Sequence, residues 1–236
     1  MKKFTLPFTS RTLASFALLL YVCGAAHEMS HHFTGAIACH QFGRMTFNLF
    51  VTSDSCTGTV APQAAGPLLS YTVGWIGALL LLTGRKQLLG FGLVAATLPY
   101  MRMLSAWTGG GDESVIARQL LGAGNHKLLV GAIVTAIVLP PLVIAYRSLS
   151  NARRPLVYFV SILIPFVPAI VLQRVDQKWF IGWINAPESF AHPTMWGIPV
   201  AVLATHIVVF VLFAIAAAWY LWEPGDVRLR ASVAST

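Results

Sequence analysis

The sequence predicts an all-α polytopic integral membrane protein of about six transmembrane helices, with a short β-hairpin-like insertion after the first. Three observations lead there. Of 236 residues, 56% are hydrophobic and only 10% charged, far below the roughly 25% charged residues of an ordinary soluble domain. Mean hydropathy is +0.70. Six apolar stretches approach the roughly 20 residues that cross a bilayer. The excess of 16 Lys+Arg over 8 Asp+Glu reads as loop charge that sets topology rather than as a nucleic-acid footprint, because no basic cluster exceeds two neighbours. Cys23, Cys39 and Cys56 form no CxxC pair, which excludes a zinc ribbon or a disulfide-dense scaffold.

The first stretch runs from about Leu13 and stays helix-compatible through Ala38, turning polar at His27. Gly66–Thr83 is the second, closed by Gly84, Arg85 and Lys86; Leu88–Trp107 is the third and contains Arg102. Leu128–Tyr146 is the fourth. Leu156–Leu172 is the fifth, where Pro165 and Pro168 should kink the helix rather than end it. Gly197–Trp222 is the sixth, and Trp179, Trp183 and Trp196 before it read as interfacial anchors. With the N-terminus in the cytoplasm, Lys2, Lys3, Arg11, Arg85, Lys86, Arg147, Arg153, Arg154, Arg228 and Arg230 lie inside. Only Arg44, Arg118, Lys127, Arg174 and Lys178 lie outside, so both termini are expected in the cytoplasm. A competing reading makes the first span a cleaved signal peptide, with Lys2 and Lys3 as its n-region and Gly24-Ala25-Ala26 as its small-residue site. The polar tail after Trp222 calls for no function.

Chemistry concentrates at His27-Glu28-Met29-Ser30-His31, an HExxH pattern on the first span. Residues four apart share a helix face about 6 Å apart along the axis. Two imidazoles so placed can ligate one Zn²⁺, and Glu28 beside them can take a proton from the attacking water. Ionisable groups inside a span cost roughly 2.5–3.5 kcal/mol each and are usually functional or paired; the bland alternative is that His27 to His32 mark the interfacial end of the helix. A third protein ligand is needed. His32 is rotated about 100° from His31 and poorly aimed, whereas Asp112 follows Gly109-Gly110-Gly111 at the end of span three. Charge counting brings that end to the membrane face reached by His27 and His31. Asp112 could instead, or in addition, be the N-cap of a short helix over Glu113–Leu121.

Further residues are weighed beside these. Arg102 would snorkel to the interface or steady Asp112 or an oxyanion; Glu113 would sit behind the metal or in solvent. His40 and His126 read as surface residues, and His206 as a packed, hydrogen-bonded histidine in span six. Cys39 and Cys56 fall in one outer loop, where an oxidising compartment could join them; Cys23 reads as a small core residue.

The order of these pieces resembles the site-2 protease family of intramembrane zinc metalloproteases over about residues 12–125. After HExxH, Arg44–Val51 alternates like a short strand and resembles the hairpin that lies beside the substrate in that family. Ala65-Gly66-Pro67-Leu68-Leu69-Ser70 resembles the family's Gly-Pro opening of a span, and Asp112 takes the place of its third zinc ligand. The chain departs from the family by having Gly-Gly-Asp-Glu where Asn-Pro-Asp-Gly or Leu-Asp-Gly is common, and Ser70 where Asn is often found. The family also keeps its metal nearer the cytoplasmic face, whereas the charge count puts His27 near the outer one.

The resemblance implies a single membrane domain over residues 1–236, with a protease-like core over 12–125 and three further spans over 126–236. It implies a zinc endopeptidase in which His27, His31 and Asp112 hold Zn²⁺ and Glu28 is the general base. Ser70, Asn48, Arg102 and Glu113 would support the site or contact substrate. The expected partners are the bilayer and a transmembrane or membrane-associated protein substrate, without nucleic acid; the expected location is a bacterial inner membrane. Two other classes share the topology. One is a His-cluster iron oxidase or hydroxylase using His27, His31, His32 and His40; such sites want more ligands than seven scattered histidines readily supply. The other is a non-catalytic assembly or transport subunit.

Overall fold

The computed structural model describes residues 2–53, 56, 59–163, 166–186, 188 and 193–221. The protein is an all-α polytopic membrane protein with six helical segments long and apolar enough to cross a bilayer: Ser10–Cys39, Ala61–Thr83, Gln87–Leu121, Lys127–Ser148, Arg154–Asn185 and Val200–Leu221. Large apolar side chains such as Ile207, Val208, Val211 and Ile215 remain exposed, as helices that are hydrophobic all round require when lipid is their solvent.

Helix α1, Ser10–Cys39, is unbroken for 30 residues and begins where the Thr9 hydroxyl accepts from the Thr12 amide. Strands β1, Arg44–Met45, and β2, Phe50–Val51, pair antiparallel. The Arg44–Val51 stretch is therefore a hairpin rather than one strand, turned where the Thr46 amide donates to Leu49 O at 2.8 Å. Helix α2, Ala61–Thr83, starts five residues before the Gly66 expected to open it, because Pro62 suits a helix start and Pro67 is carried inside the helix. The third span is three helices: α3 Gln87–Ala96, α4 Pro99–Thr108 and α5 Gly111–Leu121. Leu98 breaks it with φ 49°, since the residue before a proline is disfavoured in the right-handed helical region. Gly109 at φ 83° and Gly111 at φ 75° break it again.

Helix α6 is Lys127–Ser148. Helices α7, Arg154–Leu163, and α8, Phe166–Val175, follow; Pro165 lies outside the described residues, and Pro168 sits in the first turn of α8. The fifth span does not stop at Leu172. It continues through a π-helical turn, Asp176–Phe180, into α9, Ile181–Asn185. Strands β3, Thr194–Met195, and β4, Ile198–Pro199, form a second hairpin ahead of α10, Val200–Ala216, and a π-helical turn, Ala217–Leu221. Trp222, Arg228 and Arg230 lie outside the described residues.

Helix α1 packs chiefly on α2, α2 on α3, and α4 on α6. The main core runs through Phe16, Leu19, Leu81, Phe91, Val134 and Leu142, and a smaller one holds Met45, Phe47, Ile198 and Val202 behind the first hairpin. At one end the N-terminal segment binds the connection after α6, Phe4 N to Ser148 O and Ser150 N to Phe4 O, each 2.9 Å. Gln87 also donates to Lys2 O there. Lys2, Arg85, Lys86, Arg147 and Arg153 thus collect at one end of the bundle, as alternating spans demand.

Candidate metal centre

His27 and His31 lie inside α1, which continues for eight residues beyond His31, through Cys39. His27 is 8% and His31 0% exposed. Their Nε2 atoms are 3.1 Å apart. Asp112 Oδ2, arriving from the first turn of α5, lies 3.2 Å from His27 Nε2 and 3.4 Å from His31 Nε2. Two ligands at roughly 2.0–2.1 Å from a tetrahedral zinc stand about 3.3 Å apart, so the three observed separations match one face of such a tetrahedron. Among the described residues this is the group of His, Cys, Asp and Glu side chains whose atoms converge closely enough to hold an ion.

Each ligand is oriented from behind. His31 Nδ1 donates to Pro62 O at 2.6 Å, which leaves the lone pair on Nε2, and the ring stacks on Phe50 of β2 at 4.1 Å. His27 Nδ1 faces Ser70 Oγ at 3.0 Å and Arg102 Nη2 at 2.9 Å. The ring has two ways to be satisfied. Without metal, Arg102 donates to Nδ1 and the Nε2 hydrogen goes to Asp112; with metal, Nδ1 carries the hydrogen and donates it to Ser70. Arg102 also donates to Ser70 Oγ at 2.9 Å and Glu113 Oε1 at 3.2 Å, and the Tyr71 hydroxyl donates to the same Glu113 oxygen.

Gly66 makes the room. A Cβ there would stand 2.3 Å from His31 Nε2 and 2.6 Å from His27 Cε1, so the Gly-Pro signature marks the place where α2 passes closest to the ligands. Glu28, the next residue after His27, is half-buried and has His31, Asp112 and Arg102 as its neighbouring charges.

Several expectations need correction. Asp112 is no N-cap: Gly110 holds that position, and Asp112 turns its carboxylate to the histidines. Arg102 neither snorkels nor touches Asp112, since its partners are His27, Ser70 and Glu113. His32 turns away and donates to Trp196 O at 2.7 Å. His206 is buried against Tyr21 and His40 is exposed, both as expected, while His126 is only partly exposed. Cys39 and Cys56 are joined in a disulfide, and Cys23 packs beside the core. Trp183 donates to Gly197 O.

Sequence reasoning missed Asp176. Its carboxylate, 1% exposed, accepts from the Phe47 amide at 3.1 Å and the Asn48 amide at 2.6 Å, so span five holds the turn of the first hairpin. An acid within an apolar span was the available signal, obscured by ending that span at Leu172. Met45 N donates to Gly197 O at 3.0 Å, so β1 is covered by the second hairpin; among the described residues the outer edge of β2, whose Phe50 stacks on His31, carries no further main-chain bond. Comparison of the chain with protein families, curated proteins and solved structures finds no match.

Proposed function

We propose that the protein is an intramembrane zinc endopeptidase. The observation that carries this reading is the 3.1–3.4 Å triangle of His27 Nε2, His31 Nε2 and Asp112 Oδ2, which has the dimensions and donor set of a three-ligand zinc site, with Glu28 adjoining it on the same helix. Zinc, when bound, supplies the Lewis acidity that makes water nucleophilic near neutral pH.

The chain's own groups do the rest. Glu28 takes the proton from water as it attacks the peptide carbonyl and returns it to the leaving nitrogen. Ser70 and Pro62 O hold the imidazoles in the ligating tautomer. A transmembrane substrate must unwind to present its carbonyl, and the open edge of β2 receives the extended segment by main-chain pairing. The Arg102 guanidinium, fastened to Glu113, keeps a positive charge behind the site.

The orientation follows the same reading. In this reading the basic end of the bundle faces a bacterial cytoplasm, and the Cys39–Cys56 disulfide supports a hairpin and a metal site turned toward an oxidising outer compartment. The test is metal analysis of the detergent-purified protein beside His27→Ala and Asp112→Ala. About one zinc per chain, lost in both variants, is expected; zinc indifferent to Asp112, or iron in its place, overturns the reading. Glu28→Gln is expected to keep its zinc and lose cleavage of a peptide that the wild type cleaves.

A further inference from the structure

A cavity of about 50 Å³ lies between α1, the turn of the first hairpin and spans five and six. Leu20, Leu98 and Leu172 wall it, and Tyr21, Asn48 and His206 supply its polar groups. His206 is 1% exposed. The Tyr21 hydroxyl and His206 Nδ1 share a hydrogen bond at 2.9 Å; in the tautomer in which the hydroxyl donates, the ring hydrogen sits on Nε2, and that atom is buried without a hydrogen-bond partner. The Asn48 side-chain amide faces the Asp176 carboxylate. Phe47 meets the His206 ring edge-on at 5.6 Å, so the imidazole is clamped and cannot swing to find a partner. A donor left unpaired beside a cavity is costly unless an acceptor enters it.

The place of the cavity matters as much as its chemistry. Gly24 and Ala25 border it, one helical turn, about 6 Å, before Glu28 on α1. On its other side Asn48 belongs to the hairpin whose β2 edge would receive substrate. Its volume admits only about three to five water-sized groups, the tip of a short side chain. Asp176 adjoins Asn48, which disfavours a second anion.

We propose that this cavity is the subsite for an uncharged, acceptor-bearing substrate side chain, asparagine foremost, and that His206 reads it. The proposal rests on the endopeptidase reading. Losing the acceptor leaves the His206 donor unpaired, so discrimination of roughly tenfold to a hundredfold between Asn and the isosteric Leu is expected.

The test uses single-span peptides in detergent micelles, identical except for one Asn or Leu moved through the central residues. At one register the wild type should favour the Asn peptide in kcat/KM by that factor. His206→Asn, whose amide still reaches Tyr21 but leaves the Nε2 position empty, should level the two, and His206→Gln, which restores a donor there, should recover part of the preference. Binding is read separately on Glu28→Gln protein carrying ¹⁵N-labelled histidine rings, where the His206 Nε2 signal should move with the Asn peptide and stay with the Leu peptide. Equal shifts, or none, overturn the subsite whatever the cleavage result. A selective shift without wild-type cleavage keeps the subsite and removes the endopeptidase.

Discussion

A methyl group is the smallest probe of the candidate centre. Gly66→Ala would put a Cβ 2.3 Å from His31 Nε2, inside any van der Waals contact, so zinc uptake should fall below detection while the folded protein survives; full zinc occupancy in this variant would mean that α2 does not lie where described. Arg102 offers a graded test. Lys in its place is a point charge that cannot hold Ser70 and Glu113 together, and loss of that hold on the Ser70 hydroxyl, the acceptor of His27 in the ligating tautomer, typically weakens metal binding by about 10–100-fold, measurable by chelator competition. Metal uptake in both proteins should decline in acid, because imidazole and carboxylate bind metal only when deprotonated. The convergence of His27, His31 and Asp112 was legible in the sequence through HExxH and the glycine run before Asp112. It did not make legible what stands behind them: the Pro62 carbonyl is a backbone group with no signature, and the bonds of Arg102 to residues 32 and 75 positions away exist only once three helices have packed.

At the scale of elements, contacts between small residues decide how close helices come. Gly77 and Gly90 face each other across α2 and α3, and a Cβ on either would lie 2.6 Å or 2.8 Å from the other's carbonyl oxygen. Gly77→Leu should therefore force the pair apart and lower the thermal midpoint or abolish accumulation of the folded protein; an unchanged midpoint would contradict the close packing. The Cys39–Cys56 disulfide closes a separation of 17 residues, for which chain-entropy arguments give a stabilisation of about 3 kcal/mol. Cys39→Ser is expected to lose stability of that order, read as a fall in midpoint that reductant reproduces in the wild type. Span existence was legible from apolar length alone. Span interiors were not: the break at Leu98 needed the weight of Pro99, and the continuation of span five past Gln173, Arg174 and Asp176 needed Asp176 to find amide donors on the hairpin, a tertiary fact that no local pattern carries.

For the whole molecule, the proposed orientation is tested by a membrane-impermeant maleimide added to intact cells. It should label a cysteine at Asn125 and spare one at Lys86; the converse would invert the protein in the membrane. The same six spans also distribute the ligands unequally. His27 and His31 ride on the long continuous α1, whereas Asp112 rides on α5 beyond two left-handed glycines. An ion held by all three would latch α5 to α1, and by mass action it would stabilise the latched form in proportion to its own affinity. Chelation should then lower the thermal midpoint and expose the Gly109–Gly111 segment to protease before the rest of the chain opens. The linkage also runs in reverse: whatever undocks α5 releases the ion, so affinity for metal becomes a gauge of how often one end of the third span lets go.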